Sequence, residues 1–122
     1  MSDISFVLLY VADVKRSEDF YADLLGRKAR DSSPGFAMFA AAPNVMLGLW
    51  LASDVKPAAA VNPGGGEICL TVADNPSVDA AAAAWRAKGV TIAQEPTTLD
   101  FGYTFVGLDP DGHRVRVFAL PR

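Results

Sequence analysis

Few side chains of this sequence could take part in covalent or metal chemistry. Cys69 is the only cysteine and His113 the only histidine, so neither an intrachain disulfide nor a cluster of histidine ligands can form. Cys69 lies in the apolar run Ile68–Leu70, without an adjoining basic residue, which indicates a buried and inert thiol. His113 lies in a turn and is expected to pack there rather than act as a base. Ser17 has no histidine nearby to activate it as a nucleophile.

Composition narrows the function classes. The chain has 122 residues, 51% hydrophobic and 20% charged, which is enough for one domain with a sizeable core. The net charge of -3 argues against nucleic-acid binding, which requires a basic face. No apolar run approaches the roughly 20 residues that span a bilayer. The N-terminus has no basic segment followed by an apolar stretch, so a signal peptide is not expected and the cytoplasm is the predicted location.

The elements that must position these residues follow the same order twice. The tripeptide Val-Ala-Asp occurs at residues 11–13 and again at 72–74, each time between a predicted strand and a predicted helix. We therefore predict module one at residues 1–55, a Pro/Gly-rich linker at 56–66 and module two at 67–122. The hydrophobic pattern, the aspartate caps and the glycine stops predict these elements: strand Ile4–Val11, helix Val14–Leu25, strands Gly35–Ala42 and Val45–Ala52, then strand Glu67–Ala73, helix Pro76–Lys88, and strands Thr91–Gln94, Tyr103–Leu108 and Arg114–Leu120.

This order predicts an α+β fold of two βαβββ modules. In each module the single helix covers only one face of the sheet. The two uncovered faces are therefore expected to share a concave surface, with the helices outside. Concave surfaces of this kind are where small ligands usually bind.

The sequence resembles the vicinal oxygen chelate superfamily, which includes glyoxalase I, bleomycin-resistance proteins and extradiol dioxygenases. The resemblance covers essentially the whole chain. It is carried by residues 10–17 (YVADVKRS), by Phe20-Tyr21 and Leu24-Leu25-Gly26, and by residues 109–113 (DPDGH). The resemblance implies paired βαβββ modules that form a cavity, and a homodimer whose modules pair within one chain or across chains.

Enzymes of that superfamily hold a divalent metal with four side chains, typically His, Gln or Glu. Carried onto this sequence, those positions are Phe6, Gly48, Glu67 and Arg116. Phenylalanine and glycine have no donor atom, and arginine is a permanent cation. The resemblance therefore implies no metal and no other cofactor in this chain. It also implies that Glu67 and Arg116 point into one small volume, where we expect them to pair directly or through one water.

A closer resemblance is to the phenazine antibiotic resistance proteins of the same superfamily. It rests on Gly48-Leu49-Trp50, Glu67-Ile68, residues 101–105 (FGYTF) and Arg116-Val117. That subfamily lacks metal ligands and is thought to stack its antibiotic on aromatic side chains. Strand alternation puts Phe6 on the same face as Tyr10, and Met46 on the same face as Trp50. The predicted ligand-binding residues are Phe6, Tyr10, Met46, Trp50, Glu67, Phe101, Tyr103 and Arg116.

Three functions follow from these residues. The first is a metal-independent protein that binds planar aromatic molecules and gives resistance to an antibiotic by sequestration or by hand-over to an exporter. The second is a lyase or isomerase of the glyoxalase type, in which burial raises the pKa of Glu67 so that it acts as acid or base. The third is a regulatory homodimer with a vestigial cavity. Trp50 and Trp85 also have a plain interpretation as core residues, and Gly102 one as part of a hairpin.

Overall fold

The computed structural model describes residues 4–60, 62 and 66–121, and the chain divides into two compact units, Met1–Asn62 and Pro63–Arg122. We call these unit 1 and unit 2. Each unit has one four-stranded sheet and one helix of at least three turns, which confirms the predicted α+β class and the two βαβββ modules. The predicted linker 56–66 contains the boundary between the units and lies partly outside the described residues.

Unit 1 begins with strand β1 and helix α1 and ends in an antiparallel hairpin. Its elements are β1 (Phe6–Val11), α1 (Val14–Leu25), β2 (Asp31–Ser33), β3 (Phe36–Ala42) and β4 (Val45–Leu51). The strand order is β1-β4-β3-β2. The neighbours β1 and β4 pair in parallel, because α1 carries the chain back across the sheet, and the other two neighbouring pairs are antiparallel. Asp13 caps α1 by accepting a hydrogen bond from the Arg16 amide at 3.0 Å, and Gly26 ends it with φ 66°.

Unit 2 repeats this arrangement. Its elements are β5 (Glu67–Thr71), α2 (Asn75–Ala87), β6 (Thr91–Leu99), β7 (Gly102–Leu108) and β8 (Arg114–Ala119), in the strand order β5-β8-β7-β6. Asp74 caps α2 by accepting a hydrogen bond from the Ser77 amide at 2.9 Å. Trp85 of α2 packs edge-on against Phe105 of β7, with ring centroids 4.9 Å apart, which confirms its interpretation as a helix–sheet core residue.

Two strands differ by more than two residues from the sequence-based prediction. β2 was not predicted, because its Asp-Ser-Ser sequence has no apolar alternation and the strand forms only through pairing with β3. β6 continues to Leu99, five residues beyond the predicted end at Gln94. Pro96 suggested that the strand would end before it. However, β6 lies at the edge of its sheet, and its pairing with β7 shifts register between Gln94 and Thr97, which accommodates the proline.

No helix in the described part of the chain is both long and apolar enough to cross a membrane.

Candidate functional site

In each unit one face of the sheet packs against that unit's helix, and we call the opposite side the helix-free face. In unit 1 the parallel register aligns Phe6 with Met46 and Tyr10 with Trp50. These four predicted residues therefore share the helix-free face, because residues two apart on a strand point to the same side. The rings of Tyr10 and Trp50 meet edge-on, with centroids 6.3 Å apart and planes at 78°. This contact confirms the prediction that Trp50 lies beside Tyr10 or Phe6.

Gly48 makes room for two apolar side chains on this face. An added Cβ at Gly48 would lie 2.5 Å from Leu8 Cδ2 and 3.0 Å from Phe36 Cζ. Leu8 and Phe36 thus lie over Gly48, and they fill the space that a side chain at position 48 would need. Phe36 was not among the predicted site residues, although its register opposite Trp50 puts it on the same face. The face is largely apolar and aromatic, and Arg30 Nη1 lies 4.0 Å from Met46 Sδ on it.

The helix-free face of unit 2 is polar at its centre. Arg116 Nε donates to Glu67 Oε2 at 2.6 Å, and Arg116 Nη2 lies 3.4 Å from Glu67 Oε1. The side chain of Arg116 is 12% exposed and that of Glu67 is 29% exposed, so the pair is partly withdrawn from water. The predicted direct pairing of these two residues is confirmed.

Arg116 is held by further contacts on the same face. Its Nη1 donates to Gln94 Oε1 and to Thr104 Oγ1, each at 3.2 Å. Thr104 is fully buried, and its hydroxyl donates to the Val117 carbonyl at 2.8 Å, which orients its oxygen lone pairs toward the guanidinium. Gln94 and Thr104 were not predicted, because the register that aligns β6, β7 and β8 is not visible in the sequence.

Aromatic rings lie beside the guanidinium. The Arg116 Cζ atom is 5.4 Å from the centroid of the Phe101 ring, within cation–π range. Phe101 in turn meets Phe118 edge-on at 5.8 Å. The structure thus brings three predicted site residues, Glu67, Phe101 and Arg116, together on one face.

The charge state of Glu67 differs from the prediction for an acid or base. The hydrogen bond from Arg116 lowers the pKa of Glu67, and this effect outweighs the burial that would raise it. The expected raised pKa is therefore wrong in direction. A carboxylate that stays ionised well below neutral pH is a weak base and has no proton to donate, so the arrangement does not favour catalysis by Glu67.

Cys69 also differs from the prediction. The sequence indicated a buried thiol, whereas Cys69 is exposed on the helix-free face, because Ile68 and Leu70 take the positions toward α2. Its Sγ–H donates to Glu67 Oε2 at 3.7 Å. Desolvation, followed by the negative charge of Glu67, raises the pKa of this thiol, which disfavours the reactive thiolate form.

Tyr103 lies on the opposite face from Arg116. Thr104 pairs with Phe118 and shares its side of the sheet, so Tyr103 points toward α2, where its hydroxyl donates to Asp79 Oδ1 at 2.7 Å. That hydrogen bond raises the pKa of Tyr103. Gly102 has φ 141°, and an added Cβ would lie 2.1 Å from the Ala119 carbonyl oxygen. The glycine between the two aromatics is thus required by the neighbouring strand, in agreement with its interpretation as part of a hairpin.

The side chains at the four family positions do not fit the divalent metal that the fold family implies. Phe6 and Gly48 have no donor atom, and both carboxylate oxygens of Glu67 contact Arg116.

A second place in the described part of the chain brings possible metal-ligand atoms within 4.8 Å of each other. Its residues are Asp109, Asp111 and His113. There Asp109 Oδ1 accepts from the amides of Asp111 and His113, and Oδ2 lies 2.7 Å from His113 Nδ1. Asp109 thus organises the turn between β7 and β8, and His113 packs in it as predicted.

The fold and these faces define the class of protein. The family model of the Glyoxalase/Bleomycin resistance protein/Dioxygenase superfamily matches residues 3–117, and the chain belongs to this superfamily. Its sequence is 30% identical over 116 residues to the phenazine antibiotic resistance protein EhpR of Enterobacter agglomerans, covering 93% of this chain and 88% of that protein.

Solved structures show the same fold. A protein of Agrobacterium tumefaciens, determined by solution NMR, is 43% identical and matches with a TM-score of 0.91 over 100% of both chains. A glyoxalase-related enzyme from Fulvimarina pelagi matches with a TM-score of 0.87, covering 99% of this chain and 90% of that one. At 19% identity the latter likeness concerns the fold alone.

Proposed function

We propose that this protein binds planar aromatic small molecules without a metal or other cofactor, and that it acts in the cytoplasm in resistance to such a molecule. The observation that carries the proposal is the edge-on pair of Tyr10 and Trp50 on an apolar sheet face. An edge-on partner helps to fix the orientation of the tryptophan ring, and a partly buried tryptophan can stack on a planar ligand. The 30% identity to a phenazine antibiotic resistance protein supports the same ligand class.

The apolar surface beside this pair supports the proposal. Gly48 leaves room for the Leu8 and Phe36 side chains over the sheet, which adds apolar surface next to Trp50 for a ring system. Apolar surfaces with a few placed polar groups are typical of small-molecule sites. Binding would protect the cell from the molecule, either by sequestering it or by handing it over to an exporter.

Replacing Trp50 tests the proposal. With phenazine as the probe and calorimetry as the measurement, we expect Trp50→Ala to weaken binding about threefold to tenfold, the amount that aromatic stacking contributes. Trp50→Phe keeps a ring and serves as the matched control, with most of the affinity retained. If Trp50→Ala folds normally and binds phenazine as tightly as the wild type, Trp50 is an ordinary packing residue and the stacking proposal is wrong.

We also propose that the protein is a homodimer. Strand β1 lies at the end of its sheet order and carries large apolar side chains that remain exposed on both faces, namely Phe6, Val7 and Leu8. Contiguous exposed apolar residues of this kind usually mark an interface. Sedimentation velocity at micromolar concentration is expected to show a dimer, and a single monomeric species would contradict the proposal.

A further inference from the structure

The guanidinium of Arg116 is already neutralised on its own sheet face. We infer that Glu67 acts as a built-in counter-anion that closes Arg116 to acidic groups, so that this face accepts planar ligands with a neutral polar substituent and discriminates against carboxylates. The inference rests on the proposed function because it presumes a planar aromatic ligand, and it concerns the helix-free face of unit 2, whereas Trp50 lies on that of unit 1.

The hydrogen-bond donors of Arg116 are nearly all engaged. A guanidinium has five N–H groups. The Nε and Nη2 groups face the two oxygens of Glu67, and Nη1 donates to Gln94 and Thr104. The edge that would hold a carboxylate through two parallel hydrogen bonds is therefore taken by Glu67. A ligand carboxylate could bind there only by displacing it.

The surroundings of the pair increase this discrimination. An acidic group placed near Arg116 would lie close to the ionised Glu67, and the two like charges would repel each other. Arg114, two residues earlier on the same face, is exposed, and an exposed cation gains little from an ion pair because water screens it. A neutral amide or carbonyl avoids the repulsion, and its oxygen can still accept a hydrogen bond from the remaining Nη2–H of Arg116.

The aromatic residues next to the pair define where the rings of such a ligand would lie. Phe101 and Phe118 meet edge-on, and the Arg116 guanidinium lies over Phe101. A ring that stacks on these phenylalanines therefore places its substituent toward Arg116 and Glu67. The Glu67–Arg116 pair therefore selects the substituent of the ligand and not its ring system.

Two phenazines with nearly the same shape and a different charge on one substituent test the inference. Phenazine-1-carboxamide is neutral, whereas phenazine-1-carboxylate is an anion at neutral pH, and both have the same rings. For the wild-type protein, calorimetry is expected to show about tenfold tighter binding of the amide. In Glu67→Gln the guanidinium loses its counter-anion, and the preference is expected to disappear or reverse. Glu95→Gln is the matched control, since Glu95 pairs with Arg86 on an exposed surface and its loss is expected to leave the preference unchanged.

The outcomes separate the inference from the proposed function. If the wild type binds the carboxylate as tightly as the amide, the inference is wrong while aromatic binding stands. If Arg114→Gln abolishes such carboxylate binding, the acid is held by Arg114 and the inference is equally wrong. If neither phenazine binds any of the proteins, the proposed function fails and the inference fails with it. The wild-type comparison needs no variant and decides the question even if Glu67→Gln does not fold.

Discussion

Units 1 and 2 are built from the same order of strand, helix and three strands, yet their helix-free faces differ in chemistry. In unit 1 this face carries Tyr10, Trp50 and the apolar side chains over Gly48. In unit 2 the same side of the sheet carries the Glu67–Arg116 pair, supported by a buried threonine. Most helix-facing residues of both sheets are apolar, and Leu47, Leu49, Phe105 and Val117 among them are buried. A duplicated scaffold can therefore keep its core and change its binding chemistry, because alternate residues of a strand belong to opposite faces.

The use of glycine shows the same separation of roles. Gly48 in unit 1 gives space to Leu8 and Phe36 on the helix-free face, whereas Gly107 in unit 2 gives space to Trp85 on the helix side. The first glycine shapes a surface that can meet a ligand. The second permits close packing between a helix and its sheet.

The largest effect is expected from the tryptophan in the core of unit 2. Trp85 is buried against Phe105, so Trp85→Ala is expected to lower the free energy of unfolding by about 3–5 kcal/mol. Trp50→Ala is expected to cost much less stability, because Trp50 is only partly buried. Urea denaturation of both variants measures the difference. Equal losses would show that both tryptophans are core residues and would break the comparison between the units.

An intermediate effect is expected from the two glycines. An added Cβ at Gly107 would lie 2.7 Å from Trp85 Cε3, in a core that cannot yield, so Gly107→Ala is expected to cost about 1–3 kcal/mol. At Gly48 the conflict is with the Leu8 side chain, which is 41% exposed and can rotate away. Gly48→Ala is therefore expected to cost less stability and to alter ligand affinity instead. Thermal unfolding combined with phenazine titration distinguishes the two, and a larger stability loss at Gly48 would reverse their assigned roles.

The smallest effect is expected from the ion pair of unit 2 as pH changes. Because the pKa of Glu67 is lowered in the folded protein, its pairing stabilises the fold above the ordinary glutamate pKa of about 4.3. This contribution is lost as pH falls through the lower folded pKa. The stability difference between wild type and Glu67→Gln, measured by thermal unfolding, should therefore be present at neutral pH and shrink in acid.

Arg116→Gln provides the control for this pH dependence. Without the guanidinium the pKa of Glu67 is no longer held down, so Glu67→Gln made in the Arg116→Gln background should show a weaker pH-dependent difference. A difference that does not vary with pH in the wild-type background would mean that Arg116 does not control the ionisation of Glu67.

Much of the fold was predictable from short-range pattern. The limits of α1 at Val14 and Leu25 follow from an aspartate cap, an amphipathic repeat and a glycine stop, all of which are local. The pairing of Glu67 with Arg116 was predicted from the family positions and alternation, and the structure confirms it. The loss of metal ligands at Phe6 and Gly48 is likewise a property of the side chains themselves.

What only the tertiary structure decided concerns contacts between residues far apart in the sequence. Cys69 is exposed and Tyr103 turns toward α2, because the register between neighbouring strands sets which side each residue faces. Gln94 reaches Arg116 because β6 shifts its register between Ile92 and Gln94, which pairs Gln94 with Val106, the partner of Arg116. The pKa of Glu67 falls rather than rises because a cation 49 positions away outweighs burial. Hydrophobic periodicity and caps act within a few residues, whereas strand register, burial and charge depend on the assembled sheet.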